Sequence, residues 1–241
     1  MQLQFPLQFE KVNSKKVSDF ILEQLEEAII LKELLSEEQL PTERELATIF
    51  NASRLAVREA LGQLEAKRLI EKRVGAKGGT FVLPVTMNSH RRTRKEIERD
   101  WENMLKVFEF RMLIEPEAAL LAAQRITTEE LDQLESYLTL SKAEDCPREL
   151  FRSLDVKFHL TIAKASNNLH FEKAVRRIRT QINPALDLMP YNHSIRLVNN
   201  EKHTTLFEAI KSRDHELSRK IMKEHIEKSA DAIYAKVFAE E

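Results

Sequence analysis

The sequence predicts a mainly α-helical protein of two domains, a small N-terminal one carrying a β-hairpin and a larger one built only of helices. Three observations lead there. Apolar residues recur at three- and four-residue spacing along most of the 241-residue chain. Glycines number only four and charged residues make up 32%, a composition that favours helices. Three of those four glycines crowd into one turn, Gly75 to Gly79, between two segments with strand character.

Residues 1–9 carry no clear pattern. Ser14 is placed to cap a first helix reaching about Leu31, in which Val17, Phe20, Ile21, Leu25, Ala28 and Ile29 recur at helical spacing. Thr42 and Glu45 form a capping box that opens a second helix, with Leu46, Ile49 and Phe50 as its apolar side. Asn51-Ala52-Ser53 supplies the turn: Asn tolerates a left-handed backbone and Ser caps the next helix. That third helix places Leu55, Leu61 and Leu64 inward, with Arg54 and Arg58 on one outward face. Residues 69–73 and 80–82 then pair as strands around the glycine-rich turn.

Two helices, a tight turn and a hairpin describe a winged helix-turn-helix, assigned to residues 10–84. Its third helix would enter the major groove with its exposed arginines. Between Arg44 and Thr80 there are eight cations against four anions, although the whole chain has a net charge of −1. DNA binding therefore has to come from a local patch rather than bulk charge. The alternative is an ordinary helical hairpin with a solvated charged face.

Pro84 closes the hairpin. Residues 85–95 read as a basic linker, with Arg91, Arg92, Arg94 and Lys95, running into a helix. Residues 96–238 form an all-helical domain, a bundle of six or seven helices broken near Thr127, Pro147, Asn167-Asn168, Pro184, Pro190 and Arg213-Asp214. The lone Cys146 excludes an internal disulfide framework and fits a reducing cytosol. Neither a signal peptide nor a membrane-length apolar run is present, so a cytoplasmic protein without a membrane partner is expected.

The second domain carries polar groups on apolar faces. Phe151, Leu154, Phe158 and Ile162 form an inward stripe, and Asp155 and His159, four residues apart, lie on or beside it. His203 accompanies Leu206, Phe207 and Ile210, and His225 continues the row of Leu217 and Ile221. Asp214 marks a turn between antiparallel helices, and His203 and His225 are equally distant from it, which brings both imidazoles to one height. With Asp155 and His159 from a facing helix, this makes a three-His, one-carboxylate set suited to Zn, Ni, Co, Fe or Mn. The alternative is a group of unrelated core histidines, each satisfied by a hydrogen bond. His90, His170, His193 and His215 have no such setting and read as surface or loop residues.

The run LPTERELATIFNASRLAVREALGQLEAKRLI resembles the winged helix-turn-helix of GntR-type bacterial transcription regulators. That resemblance covers almost all of residues 29–82. It implies operator contacts from Arg44, Ser53, Arg54 and Arg58, with Lys77 and Gly78 in the wing. The sequence departs from the family at Lys32, Glu37 and Arg68, where glycine is common, and at Asn51, where glycine is usual. Arg68 replaces a helix-stopping residue and adds a candidate phosphate contact.

Residues 96–236 resemble the FCD ligand-binding domain of the FadR-like subgroup, through FRMLIEPEAALLAA, DVKFHLTIAKASNN and EKHTTLFEAIKSRD. The resemblance implies that Asp155, His159, His203 and His225 hold a divalent transition metal, Zn or Ni foremost, whose shell a small carboxylate effector completes. It also implies that Arg111 grips the carboxylate bidentately and that Asn168 lines the same pocket, the alternatives being an interhelical salt bridge for Arg111 and a helix C-cap for Asn168. One winged domain reads few base pairs, so a homodimer on palindromic double-stranded operator DNA is expected.

The resulting expectation is a ligand-responsive, sequence-specific regulator of transcription and not an enzyme. Two rivals stand beside it. One is a metal-free regulator sensing a larger apolar ligand such as an acyl-CoA. The other is a metal-dependent hydrolase with an accessory DNA-binding domain, for which the chain offers no HExxH helix.

Overall fold

The computed structural model describes residues 15–75, 78–84 and 87–238, the side chains of 87–92 excepted. Ser14 and Lys77, and the side chain of His90, lie outside that description. The described elements are α1 (Val17–Ile30), α2 (Glu43–Ile49), α3 (Arg54–Ala66), β1 (Ile70–Arg73), β2 (Gly79–Val82), α4 (Met87–Arg99), α5 (Trp101–Arg125), α6 (Thr128–Lys142), α7 (Arg148–Ala165), α8 (Leu169–Leu186), α9 (His193–Lys211) and α10 (His215–Val237). The chain divides into two compact units. The first takes in the described residues up to Glu26 together with Gln39–Val82, and the second Glu27–Glu38 and the chain from Leu83 onward.

In the first unit the capping residues act as their types dictate. Glu45 N–H donates to Thr42 Oγ1 at 3.3 Å and Thr42 N–H to Glu45 Oε2 at 2.8 Å, closing the capping box of α2. Ser53 caps α3 by accepting from Ala56 N–H at 3.1 Å. The buried stripe of α3 is Val57, Ala60, Leu61 and Leu64, the i, i+3, i+4, i+7 pattern of one helix face. Leu55, expected inward, is 63% exposed. It lies two residues before Val57, about 200° around the helix, and so falls on the arginine face. Ile49 is likewise exposed, because the seven-residue α2 buries only Leu46. Val17 and Phe20 are exposed too, while Ile21, Leu25 and Ile29 are buried.

The wing pairs antiparallel, Ile70 opposite Val82 and Arg73 opposite Gly79. Leu40 N–H donates to Thr80 O at 2.8 Å and Gln39 bridges to Phe81, so the segment before α2 extends the hairpin by one short rung. Gly75 has φ 105°, and a Cβ at Gly78 would lie 2.7 Å from Arg73 O. A side chain would be strained by the backbone at Gly75 and would collide with Arg73 O at Gly78.

Helix ends are closed without glycine. Lys32, Asn51, Arg68 and Arg213 all have φ between 47° and 61° just beyond a helix. At Arg68 the closing bonds are Arg68 N–H to Glu65 O (2.9 Å) and Leu69 N–H to Leu64 O (3.0 Å), the paired pattern of a Schellman turn. The same pair recurs at Lys32, Asn51 and Arg213. Lys32, Asn51 and Arg68, with Glu37 at φ 63°, are the four positions where side chains stand in place of glycine.

In the second unit α5 is central, packing against α7, α8, α9 and α10. Its alanines 118, 119, 122 and 123 are buried and let neighbouring helices approach closely. Two apolar clusters result. One is centred on Leu134, Phe158, Ile162, Phe207 and Ile210, the other on Phe108, Ile178, Ile182 and Ile233. Two expectations change. Residues 85–95, read as a linker, are helical from Met87, where α4 begins. Pro184 does not break its helix: α8 runs through it to Leu186.

A left-handed conformation costs an L-residue about 1–2 kcal/mol, against which glycine's extra unfolded-state entropy counts about 0.4–1 kcal/mol. Arg68→Gly is therefore expected to stabilise the winged unit by about 0.5–1 kcal/mol, read as a higher urea midpoint. Unchanged or lower stability would show that the Arg68 side chain contributes more than its backbone loses.

Candidate metal and effector site and candidate DNA interface

Three helices bring the imidazoles together. His159 comes from α7, His203 from α9 and His225 from α10, all buried, with their nearest ring nitrogens within 4.8 Å of one another. Ring centroids lie 5.4 Å apart for His159–His203, 5.3 Å for His159–His225 and 4.9 Å for His203–His225. The turn between α9 and α10 falls where equal spacing requires: Arg213 closes α9, and Asp214 caps α10 by accepting from Leu217 N–H at 3.0 Å. His203 also stacks on Phe158 at 4.6 Å.

The donor set fits a divalent metal. His159 Nε2, His203 Nε2 and His225 Nδ1 are all buried without a hydrogen-bond partner. Buried polar atoms seldom stay unsatisfied, so three on converging rings point to a common ligand. Asp155 Oδ1 lies 3.5 Å from His203 Nε2, beside the imidazole triad and not inside its tightest grouping. Burial holds His203 and His225 neutral, the form that donates a lone pair. It pushes His203 down to about 3, against the pull of Asp155. Burial again, with His203 and His159 adding to it, keeps His225 well below its usual range.

Glu115, absent from the sequence reading, organises the site from behind. Its Oε2 meets His159 Nδ1 at 2.7 Å and its Oε1 accepts from Arg111 Nε at 2.6 Å. A carboxylate on Nδ1 fixes that ring's proton there and leaves Nε2 free for a metal. Burial opposes the Glu115 charge, but Arg111 and His159 outweigh it and lower its pKa. Arg179 on α8 plays the matching part for Asp155: its guanidinium donates to Oδ2, and against burial it holds that carboxyl well below its ordinary range. Both partners had a sequence signal. Glu115 is four residues from Arg111 on one helix face, and Arg179 lies on the apolar stripe of Val175, Ile178 and Ile182.

A cavity of about 290 Å³ adjoins the cluster, lined by Arg111, Arg152, Asp155, Arg179 and His225 and, farther out, by Lys202 and Lys228. Burial and the neighbouring Lys228 lower the Lys202 pKa. Arg111 thus sits where an effector carboxylate could meet it. Asn168 does not: it caps α8, its side-chain oxygen accepting from His170 N–H at 3.0 Å, and it is not among the cavity's lining residues. Its role is local because the chain reverses there from α7 into α8. His170, His193 and His215 are exposed.

In the winged unit Arg44, Ser53, Arg54 and Arg58 are all exposed. Arg58 Nη2 donates to Glu43 at 3.0 Å, an ion pair that ties α3 to α2 and lowers the Glu43 pKa. Arg54 and Arg58 share the face on which Leu55 is also exposed. Gly78 occupies the wing turn.

Residues 17–82 match the gntR family of bacterial regulatory proteins, and residues 106–228 match the FCD domain. The chain belongs to the GntR family and carries an FCD domain. It resembles the transcriptional repressor NanR of Citrobacter rodentium, 27% identical over 227 residues, covering 88% of this chain and 83% of NanR. It resembles equally the regulator YcbG of Bacillus subtilis, 27% identical over 227 residues and 94% of each chain. The solved structure of Escherichia coli McbR/YncC shares the fold, with a TM-score of 0.57 at 19% identity over 92% of this chain and 99% of that one. This GntR chain is a transcriptional regulator with a DNA-binding and an effector-binding domain, and its relatives are regulators rather than enzymes, which sets the hydrolase rival aside. Among the described residues no helix is long and apolar enough to cross a membrane.

The depressed imidazoles make the metal-free protein sensitive to acid. The unfolded chain protonates His203 and His225 near their ordinary pKa of 6.5, whereas folded His203 waits until about 3. Stability is therefore present above pH 6.5 and is lost as pH falls through that value, by up to about 1.4 kcal/mol per pH unit for each imidazole. Urea titrations of metal-free protein between pH 7 and 5 should show this slope, and a His203→Gln/His225→Gln variant a shallower one. Equal slopes would mean that these rings are not held neutral by the fold.

Proposed function

We propose that this regulator is a cytoplasmic homodimer that binds a palindromic operator and responds to a small carboxylate completing the shell of a metal held by His159, His203, His225 and Asp155. The observation that carries this reading is the convergence of three unsatisfied imidazole nitrogens beside a cavity walled by guanidinium groups. When bound, the metal supplies a Lewis-acidic centre for an effector oxygen. The residues of the chain do the rest. Glu115 orients His159, Arg179 holds Asp155, and Arg111 faces the effector carboxylate. Asn168 is withdrawn from that set. Five cationic side chains on the cavity wall favour an anionic ligand over an uncharged one, while Met189, Ile195 and Val198 give the same cavity an apolar side. Zn or Ni is favoured by the imidazole-rich donor set, with Mn, Co and Fe as the remaining choices.

On DNA, Arg54 and Arg58 read base edges, Leu55 packs against a thymine methyl, and Arg44, Ser53 and the wing around Lys77 and Gly78 fix register on phosphate. Effector and operator are coupled only if the effector binds the DNA-competent and incompetent arrangements unequally.

Two measurements test these assignments. With an operator obtained by selection from random duplexes, Arg54→Ala and Arg58→Ala should each weaken binding about tenfold or more and relax base preference. Uniform weakening across all sequences would reduce both arginines to phosphate contacts. Glu115→Gln should lower Zn²⁺ affinity about 10–100-fold while leaving operator recognition by the metal-loaded protein intact. Undiminished Zn²⁺ affinity would remove Glu115 from the site.

A further inference from the structure

We infer that the effector is a compact dianion, with one anionic group among Arg111, Arg179 and the histidines and a second held by Lys202 and Lys228 at the outer end of the same cavity. This rests on the reading that the cavity takes a carboxylate ligand, and it adds a second charge and its binding site. The cavity wall carries five cationic side chains, Arg111, Arg152, Arg179, Lys202 and Lys228, and one carboxylate, Asp155. Two of the cations already have buried partners, since Arg111 pairs with Glu115 and Arg179 with Asp155. Arg152, Lys202 and Lys228 have no ion-pair partner among the described residues, so the wall keeps an excess of three positive charges before any metal is added.

Unsatisfied donors lie in the same wall. Arg111 Nη1, Arg152 Nε and Arg179 Nε are buried without a hydrogen-bond partner, on side chains that are at least nine-tenths buried. Three orphan guanidinium N–H groups and two lysines outnumber what a single carboxylate can accept. A monoanion at the inner end would leave Lys202 and Lys228 without a counter-charge, whereas a second anionic group would relieve the repulsion already acting between them.

Spacing limits the ligand's length. Lys228 follows His225 by three residues on one face of α10, about 4.5 Å along the axis. Lys202 directly precedes His203 on α9. The second anionic site therefore lies about one helical turn from the imidazoles, within reach of a backbone of four to six carbons. Met189, Ile195 and Val198 line the same space and suit the methylene or sugar carbons between the two charges. The outer group is a carboxylate or a phosphate, both of which a lysine pair accepts.

Calorimetric titration of the Zn²⁺-loaded full-length chain tests this. The probes are succinate, glutarate and adipate against butyrate, and 3-phosphoglycerate against glycerate. At least one probe with two anionic groups (a dicarboxylate, or 3-phosphoglycerate with a total charge of about −3) should bind about tenfold or more tighter than its counterpart with one, a difference of about 1.4 kcal/mol. That preference should shrink to about threefold or less in Lys202→Met/Lys228→Met, with Zn²⁺ content as the control for an intact site. Preference among the dicarboxylates assigns the outer group as carboxylate, and preference for 3-phosphoglycerate alone assigns it as phosphate. Equal binding of mono- and dianions, or a preference that survives in the double variant, overturns the inference and leaves the carboxylate reading standing. Failure of every probe to bind overturns both.

Discussion

Glu115 is the contact on which the polar interior of the helical domain depends. One oxygen accepts from Arg111 and the other meets His159, so a single buried carboxylate neutralises a guanidinium and sets an imidazole tautomer. Without it Arg111 would be an uncompensated charge at 0% exposure, which a protein interior does not tolerate cheaply. The Arg179–Asp155 pair repeats the device on α7 and α8. Together the two pairs make an ionic layer that is balanced and yet leaves His159 Nε2, His203 Nε2 and His225 Nδ1 without a hydrogen-bond partner. A buried pair of this kind is seldom a net source of stability. Its value here is that the donor atoms are already placed before a ligand arrives.

The apolar packing explains why that layer sits where it does. Alanines along α5 allow close approach of its neighbours, and Phe158, Ile162, Phe207 and Ile210 fill one end of the bundle. Ile178, Ile182 and Ile233 belong to a second cluster. The histidines are carried by the same helices as these cores and are buried with them, and burial keeps His203 and His225 neutral. In the winged unit the economy differs. Arg44, Ser53, Arg54 and Arg58 are exposed, and the helices that carry them are set by caps at Thr42 and Ser53 and by the Glu43–Arg58 pair.

Much of this was legible in the sequence, because helix periodicity, capping boxes and equal spacing about Asp214 are local or arithmetical signals. The same arithmetic places His159, His203 and His225 side by side, with Asp155 next to His203. Direction around a short helix was less legible. Ile49 and Leu55 are apolar, but two residues of offset carry Leu55 to the outer face, where hydrophobicity alone gives no warning. Lys32, Glu37, Asn51 and Arg68 stand where glycine is common or usual, yet the left-handed backbone persists at all four, closed by paired backbone bonds at Lys32, Asn51 and Arg68. Glu115 and Arg179 were missed for a different reason. Each works only through a partner on another helix or turn, and a charged residue on an apolar stripe does not announce which group it will meet. For Asn168 the capping alternative is the one the geometry displays, at the start of α8 rather than the end of α7, because the chain reverses there.

The claim that bears the most weight is that the histidine cluster holds a metal. Elemental analysis of the untagged protein, purified without chelator, addresses it most directly, beside an Asp155→Ala/His225→Ala variant whose helical content is checked by circular dichroism. About one transition-metal ion per chain, absent from the variant, is the predicted result. No metal in the wild type, and none taken up on dialysis against Zn²⁺, Ni²⁺ or Mn²⁺, would contradict it and make the cluster a set of core histidines.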